Sequence, residues 1–431
     1  MLETLELKYV GPAQHMMLGF NPRLNLLTGD NGLGKSFILD TAWWALSRTW
    51  PGEEAQQAWP QPGRRKKAFI SYQVRGKSRS SKQTARFDLK TWSWKRSQGR
   101  KPNPGLVIYA RVEGGFSVWD PARNYWKEGK LDEGGLPERN HVNSYQFSPR
   151  TLWYGLPGEE PNTLLCNGLI SDWVTWQLKD SPEYKTLCEV LEVLSPGEAE
   201  TLKPGEPVRL SRTDARVYPS LELPYGRIPI IHASAGARRI LALAYLLVWT
   251  WHEHVQASHL ADELPTDRIV LLIDELEAHL HPRWQRLVLP ALLKIVTRLQ
   301  EGASIQVIAA THAPLMLASV EPLFDTERDA LFDFDLVKDA HGARTVQVRK
   351  THWRPRGDAN AWLVSDIFDL GEPRSVEAEK ALEQATAALR DPGLDIKEVR
   401  RIHRQLHKVL KDTDPFWPRW ELRARAAGIA P

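Results

Sequence analysis

An α/β fold with a mixed central sheet is predicted by three stretches of this 431-residue chain. Leu24, Leu26 and Leu27 form a short apolar run that enters a glycine-rich loop and leaves it as a helix over Phe37–Leu46. Arg268–Glu275 is a continuous β-branched and leucine run ending in two acids, and Ser304–His312 is a second buried run ending in a polar pair. Strands covered on both faces read this way in parallel sheets. Around them the pattern divides the chain into an N-terminal lobe with an antiparallel β subdomain (1–148), a helical lobe (149–229), a lobe that completes the sheet (230–350) and a helical C-terminal extension (351–431).

Leu2, Leu5 and Leu7 mark an extended segment, and Met16–Phe20 marks its return. The third strand runs into Gly29-Asp30-Asn31-Gly32-Leu33-Gly34-Lys35-Ser36, which fits G-x-x-x-x-G-K-[ST] without a mismatch. Its glycines let the backbone turn N–H groups around phosphate oxygens, and the helix continuing from Phe37 adds the positive end of its dipole. Lys35 is placed to reach the outer phosphates, and Ser36 to hold Mg²⁺. A chance glycine-rich turn is the bland alternative; the strand before it and the helix after it argue against that.

After a Gln/Pro/Glu-rich connector at Pro51–Pro62 the charge becomes concentrated. Between Arg64 and Lys101 there are 14 Lys/Arg against one acid, Asp88, so this segment carries +13 in a chain of net +4 and leaves −9 for the remainder. It alternates as Phe69–Val74 and Ala85–Leu89 around a polar turn at Arg75–Gln83, a pattern that predicts an antiparallel hairpin with cations on its exposed face and tip. Two readings stand: charged edge strands that resist aggregation, or a surface for nucleic acid. Trp92 and Trp94 beside Lys95 and Arg96 suit base stacking, although a chain with 18 Trp places some there by accident.

Leu106–Val112 and Phe116–Trp119 are expected as strands around Glu113-Gly114-Gly115. Pro149–Leu194 is expected to be helical, including Leu169–Leu178 and Glu183–Leu194, and Pro204–Pro229 irregular. Ser234-Ala235-Gly236-Ala237-Arg238-Arg239 opens Ile240–Trp251, which is apolar on all faces and so reads as a buried helix. Asp274 at its strand end would complete the Mg²⁺ shell, Glu275 would orient and deprotonate an attacking water, and His312 would contact the γ-phosphate. Glu277, His279 and His281 alternate as a metal-binding loop can, but lack a fourth ligand, so structural roles are expected for them. Pro282 starts a helix with Trp284, Val288, Leu292 and Ile295 on one face. Phe332–Asp335 and Thr345–Val348 bracket a hairpin turn, and Val376–Leu389 and Ile396–Leu410 are helical, followed by Trp417, Trp420 and a basic tail.

With these elements assembled the chain resembles an ABC-type P-loop ATPase: GDNGLGKS as Walker A, SAGARR as a divergent signature, LLIDELEAHLHP as Walker B and AATHAP as the histidine switch. Its D-E-x-E-x-H-L-H-P and T-H-x-P forms are similar to those of the overcoming-lysogenization-defect class and of ATPase subunits in Septu-like and retron-associated anti-phage systems. It departs mildly from the usual pattern, with Leu276 in place of the proline of D-E-P-E and Ala313 in place of the serine of T-H-S-P. The resemblance implies ATP and Mg²⁺ as cofactors and a homodimer closed head to tail over two ATP molecules, with Ser234 and Gly236 facing the other subunit's Walker A. It also implies a Q-loop glutamine in the metal shell, for which Gln146 in SYQFSP is the candidate. The function it implies is a nucleic-acid-sensing ATPase that controls a separately encoded effector such as a nuclease in anti-phage defence.

Three rivals are weaker. A repair ATPase of the coiled-coil type needs heptads, and none lie between Lys35 and Ser234. A transporter subunit carries its signature close before Walker B, whereas Gly236 precedes Asp274 by 38 positions. Asp333 and Asp335 with Glu321 resemble a nuclease acid set, but two of them lie on a terminal hairpin, so cleavage by this chain is not expected. The most apolar segment, Ile240–Trp251, is shorter than the roughly 20 residues of a span and MLETLELKYV is no leader, so a cytoplasmic location without a membrane is expected. Cys166 and Cys188 form no C-x-x-C, which indicates neither a disulfide framework nor a zinc site.

Overall fold

Leu2 and Leu5 are three residues apart, and both face the core because β1 (Leu2–Val10) slips register against its neighbour between Leu2 and Thr4. β2 (Ala13–Gly19) returns antiparallel beside it, and β3 (Leu24–Gly29), buried throughout, leads through the glycine-rich loop into α1 (Lys35–Ser47). β4 (Phe69–Arg75), β5 (Ser80–Asp88) and β6 (Ser93–Lys95) complete an antiparallel sheet of order β2-β1-β4-β5-β6. Ser80–Gln83, expected within the turn, is strand: Gln83 points inward in alternation with Ala85 and Phe87, and its Oε1 accepts from the Tyr72 hydroxyl at 3.0 Å. This computed structural model describes all residues except 53–67, 77–79, 96–101, 125–143, 159, 198–199, 300–301, 339–341, 343, 392–394, 427 and 429–431, and only the backbone of 296–298.

β7 (Leu106–Ala110) and β8 (Phe116–Trp119) pair antiparallel, followed by α2 (Pro121–Asn124) and β9 (Tyr145–Phe147). The region expected to be a helical lobe is mixed. It holds α3 (Pro149–Tyr154), a ribbon of β10 (Leu156–Pro157) and β11 (Leu164–Cys166), α4 (Leu169–Leu178) and α5 (Pro182–Val193). Pro204–Pro229, expected to be irregular, forms a three-stranded sheet of β12 (Lys203–Arg209), β13 (Val217–Leu223) and β14 (Gly226–Pro229). Its prolines occupy positions a sheet tolerates: Pro204 and Pro207 lie on edge strand β12, and Pro219 faces the register shift between Gly205 and Val208.

The chain continues as α6 (Ala235–Leu260), β15 (Arg268–Asp274), α7 (Pro282–Leu299), β16 (Ser304–Ala310), α8 (Pro314–Val320), β17 (Asp329–Lys338) and β18 (Arg344–Thr351). Eight strands make the central sheet in the order β18-β17-β3-β16-β15-β7-β8-β9. Its middle, from β17 to β7, is parallel and its flanks are antiparallel. α1 shares one core with both sheets: Ile38, Trp43 and Trp44 pack among Leu5 and Tyr72 of the antiparallel sheet and Val107, Leu272 and Ile308 of the central one. Truncating either buried tryptophan would cost about 3–5 kcal/mol and loosen the helix that carries Lys35 and Ser36.

Met1–Gly357 forms one compact unit and Asp358–Pro431 a second. The second contains α9 (Ala359–Leu363), α10 (Val376–Arg390), α11 (Ile396–Val409) and α12 (Trp417–Ala426). Leu382, Val399, Ile402, Leu406, Trp417 and Trp420 are buried in the core of its last three helices. Among the described residues no helix is long and apolar enough to cross a membrane.

Candidate functional site

Gly29 holds a φ of 120° and approaches β17 so closely that a Cβ would collide with the carbonyl oxygen of Phe334. Asp30, Asn31 and Gly32 form the exposed rim of the loop, Leu33 is buried beneath it, and Gly34 and Phe37 are half-buried. Gly34 caps α1 with no side chain, so the N–H groups of the first turn remain as donors toward the loop. Lys35, only 4% exposed, curls back into the loop, its Nζ donating to Gly29 O at 2.9 Å and Asp30 O at 2.7 Å. Burial lowers its pKa, against the opposing charges of Glu275 and Asp274.

β3, β16 and β15 are adjacent and parallel, so the loop, the Thr311-His312 pair and the Asp274-Glu275 pair emerge on one edge of the sheet. Asp274 accepts a hydrogen bond from the Ser36 side chain, while its Oδ1 is buried without a partner. Burial, then the charges of Glu275, Asp40 and Glu113, push its carboxyl up to about 6. A hydroxyl and an unsatisfied carboxylate oxygen side by side are the donor chemistry of a hard divalent cation, so Ser36 and Asp274 fit Mg²⁺.

Glu275 follows with a φ of 44°, held by its own N–H donating to Ala310 O at 3.1 Å. Its Oε1 lies 2.9 Å from His312 Nε2. Burial, then the charge of Lys35, lowers the His312 pKa, against the opposing charge of Glu275. Behind this pair, the buried Glu277 accepts at Oε1 from Thr311 Oγ1 at 2.6 Å and His312 N at 2.8 Å. The strand end that bears His312 is therefore pinned by the third acid of the D-E-L-E run.

At the start of α6, Ser234 is exposed and its Oγ accepts from Ala237 N at 3.2 Å as a helix cap. Gly236 packs so tightly that a Cβ would stand 2.9 Å from His279 O. One turn on, the Arg239 guanidinium donates to Val112 O at 2.9 Å and Glu275 O at 3.1 Å. It ties this helix to the strand end carrying the two acids and to the loop after β7. The sequence offered Arg239 only as part of SAGARR, since its partners lie far away in the chain.

Gln146 does not join this cluster. It sits on β9, three strands from β15 and so about 14 Å away across the sheet, with Oε1 accepting from Ser117 Oγ and Nε2 donating to Ser144 Oγ. The strand beside β15 is β7, and the loop leaving it carries Glu113, whose charge acts on Asp274, Asp40 and Arg239. Asp40, one turn below Ser36, accepts from Tyr109 of β7 at 2.9 Å. The strand-to-helix change that marks Gln146 lies at the edge of the sheet, whereas the strand that borders β15 ends in the loop bearing Glu113.

Of the basic block, Arg64–Lys67, Lys77, Arg79, Arg96, Arg100 and Lys101 lie outside the described residues. Lys8, Phe69, Arg86 and Lys95 stand in one cross-strand row, and Lys82 is exposed on β5. Arg75 pairs with Glu3 and Lys95 with Asp88, both at 2.6 Å. Trp94 is buried against Trp44 and Phe87, which removes it from any stacking surface, whereas Trp92 is 62% exposed. Glu277, His279 and His281 turn to different partners: Thr311, the packing against Gly236, and Arg283 N. Asp333 and Asp335 share Arg349, and the Glu321 carboxylate accepts from Arg356 N and Gly357 N.

Residues 225–318 match the family model described as "AAA domain, putative AbiEii toxin, Type IV TA system". That span runs from β14 into α8 and contains Ser234, Arg239, Asp274, Glu275, Glu277 and His312. Among solved structures, the SMC head domain from Thermotoga maritima is similar at 15% identity, over 82% of this chain and 99% of that one, with a TM-score of 0.39. An SMC head bound to the C-winged helix domain of ScpA matches at 15% identity over 81% and 97%, TM-score 0.41. The recombination mediator RecF matches at 13% over 82% and 98%, TM-score 0.38.

Proposed function

We propose that the chain is an ATPase that acts as a homodimer, senses nucleic acid and controls a separately encoded effector such as a nuclease, in anti-phage defence. The observation that carries the hydrolytic reading is the convergence of Lys35, Ser36, Asp274, Glu275 and His312 on one edge of three adjacent parallel strands. ATP with Mg²⁺ supplies the phosphoanhydride to be cleaved and charge neutralisation at its oxygens; the N–H groups of 29–36, Lys35, Ser36 and Asp274 would hold them.

Each remaining role belongs to a side chain already placed. Lys35 brings a buried positive charge to the loop. Glu275 orients a water and takes its proton on the carboxylate that His312 Nε2 holds in position. Glu277 fixes His312 through its backbone N–H, and Arg239 fixes Glu275 through its carbonyl. Glu113, on the loop after β7 and ion-paired with Arg111 at 3.1 Å, would take the place assigned to Gln146, since its charge acts on Asp274.

Head-to-tail pairing is supported by the N-terminus of α6, where Ser234 and Ala235 are exposed and the positive end of the helix can meet a partner's phosphates. Nucleic acid is supported by the +13 block, and anti-phage control by the D-E-x-E-x-H-L-H-P resemblance. The test is Glu275→Gln, which should retain ATP binding and lower steady-state phosphate release by at least about 10²-fold, because the water loses its base. Near-normal phosphate release would overturn the assignment.

A further inference from the structure

Helix α11 carries a one-sided charge pattern that hydrolysis does not use. Val399, Ile402 and Leu406 are buried against α10 and α12. On the opposite face Lys397, Arg400, Arg404, His407 and Lys408 are all exposed and fall within an arc of about 100° at 3.6 residues per turn. The helix has one acid, Glu398, which lies on the flank and is occupied by Arg401 in a two-pronged contact that Gln405 and Gln384 extend. Lys397, Arg400, Arg404 and Lys408 have no ion pair with a described residue. Residues 358–431 contain 12 Lys/Arg against 13 Asp/Glu, so this stripe does not follow from a generally basic unit; of those acids only Glu398 lies on α11. Like charges held in register without counter-charges repel one another, a cost that a polyanion ligand relieves.

We propose that the exposed face of α11 binds the phosphate backbone of a nucleic-acid duplex without regard to sequence. From Lys397 to Lys408 the helix extends about 17 Å, and a duplex carries one negative charge per about 1.7 Å of axis with both strands counted, so that length holds roughly ten phosphates, more than four cations need. The stripe's cations are Lys and Arg, whose charge any phosphate satisfies, and it has no Asn or Gln with which to read adenine, since Gln405 is held by Arg401. It also offers no tryptophan to a single strand: Trp417 is 5% exposed and Trp420 fully buried, with Nε1 of Trp420 donating to His403 Nδ1. The duplex is therefore favoured over a single strand, and backbone contact over base recognition. This surface uses none of the residues of the basic hairpin or of the hydrolytic site.

The experiment uses the full-length chain without nucleotide and a labelled duplex of about 30 base pairs, in DNA and RNA forms, with log affinity followed against log salt. The variant Lys397→Gln/Arg400→Gln/Arg404→Gln/Lys408→Gln should flatten the slope by up to about 3.6, about 0.9 for each phosphate no longer neutralised, and weaken binding at least about tenfold near 0.1 M salt. Arg400→Lys/Arg404→Lys should keep the parental slope, which separates removal of charge from a failure to fold. Lys82→Gln/Arg86→Gln on the hairpin, measured alongside, reports on the other surface. A stripe variant that binds both duplexes like the parent overturns the proposal, even if the hairpin variant binds neither. So does a stripe variant that keeps duplex binding and ceases only to bind poly-glutamate, because the face would then take an acidic polypeptide.

Discussion

Replacing Asp274 by Asn should stabilise the protein while abolishing turnover, and the size of the gain can be worked from the site. The Asp274 side chain is 2% exposed and its carboxyl is pushed from an ordinary 3.8 to about 6. A folded-state pKa raised above the unfolded value means that the protonated form suits the fold; its contribution is present in full below pH 3.8 and lost as pH rises through 6. Two pK units correspond to about 3 kcal/mol, so above pH 7 the wild type carries a charge it would be more stable without. Asn keeps the volume and an acceptor for Ser36 but has no charge to desolvate. In denaturant titrations with chelator present, Asp274→Asn should be more stable by about 3 kcal/mol at pH 8, the difference shrinking to about 1 kcal/mol near pH 4.5. Adding Mg²⁺ should then stabilise the wild type and leave the variant unchanged, because only the carboxylate gains from a bound cation. A variant no more stable than the wild type at pH 8, or a gain that does not shrink on acidification, would refute burial as the origin of the raised pKa.

Glu277→Ala strips the acceptor from Thr311 Oγ1 and His312 N at about 1–3 kcal/mol each and should lower both stability and turnover, whereas Glu277→Gln keeps an acceptor and should be milder in both assays. Ser234→Arg should impair hydrolysis while leaving ATP binding to each chain intact, and Lys35→Ala should remove binding; mixing the two should restore one composite site of two, and a mixture no more active than the sum of its parts would argue against head-to-tail closure. Lys82→Gln/Arg86→Gln should reduce the salt slope of nucleic-acid binding by up to about 1.8 and leave basal hydrolysis unchanged; a parental slope would mark the hairpin as a solvated edge.

The chain's local patterns determined the elements of the site. The loop from Gly29 to Ser36, the acids closing β15 and the Thr311-His312 pair closing β16 are each legible because period, glycine placement and strand-end polarity are properties of adjacent residues. Tertiary structure decided everything that depends on which strands become neighbours. Placing β7 beside β15 brings Glu113 to Asp274 and leaves Gln146 on the far edge. It also gives Arg239 carbonyl partners more than 30 residues away in the chain, and sets Gln306, a polar residue in a buried strand, to stitch the two sheets together through the backbone of Leu2. Trp92 and Trp94 are indistinguishable as residues; Trp92 stands in the turn before β6 with a φ of 53° and faces solvent, whereas Trp94 on β6 faces the core. The physical reason is the same in each case: local geometry fixes where a side chain can point, while burial of non-local apolar surface fixes what it meets.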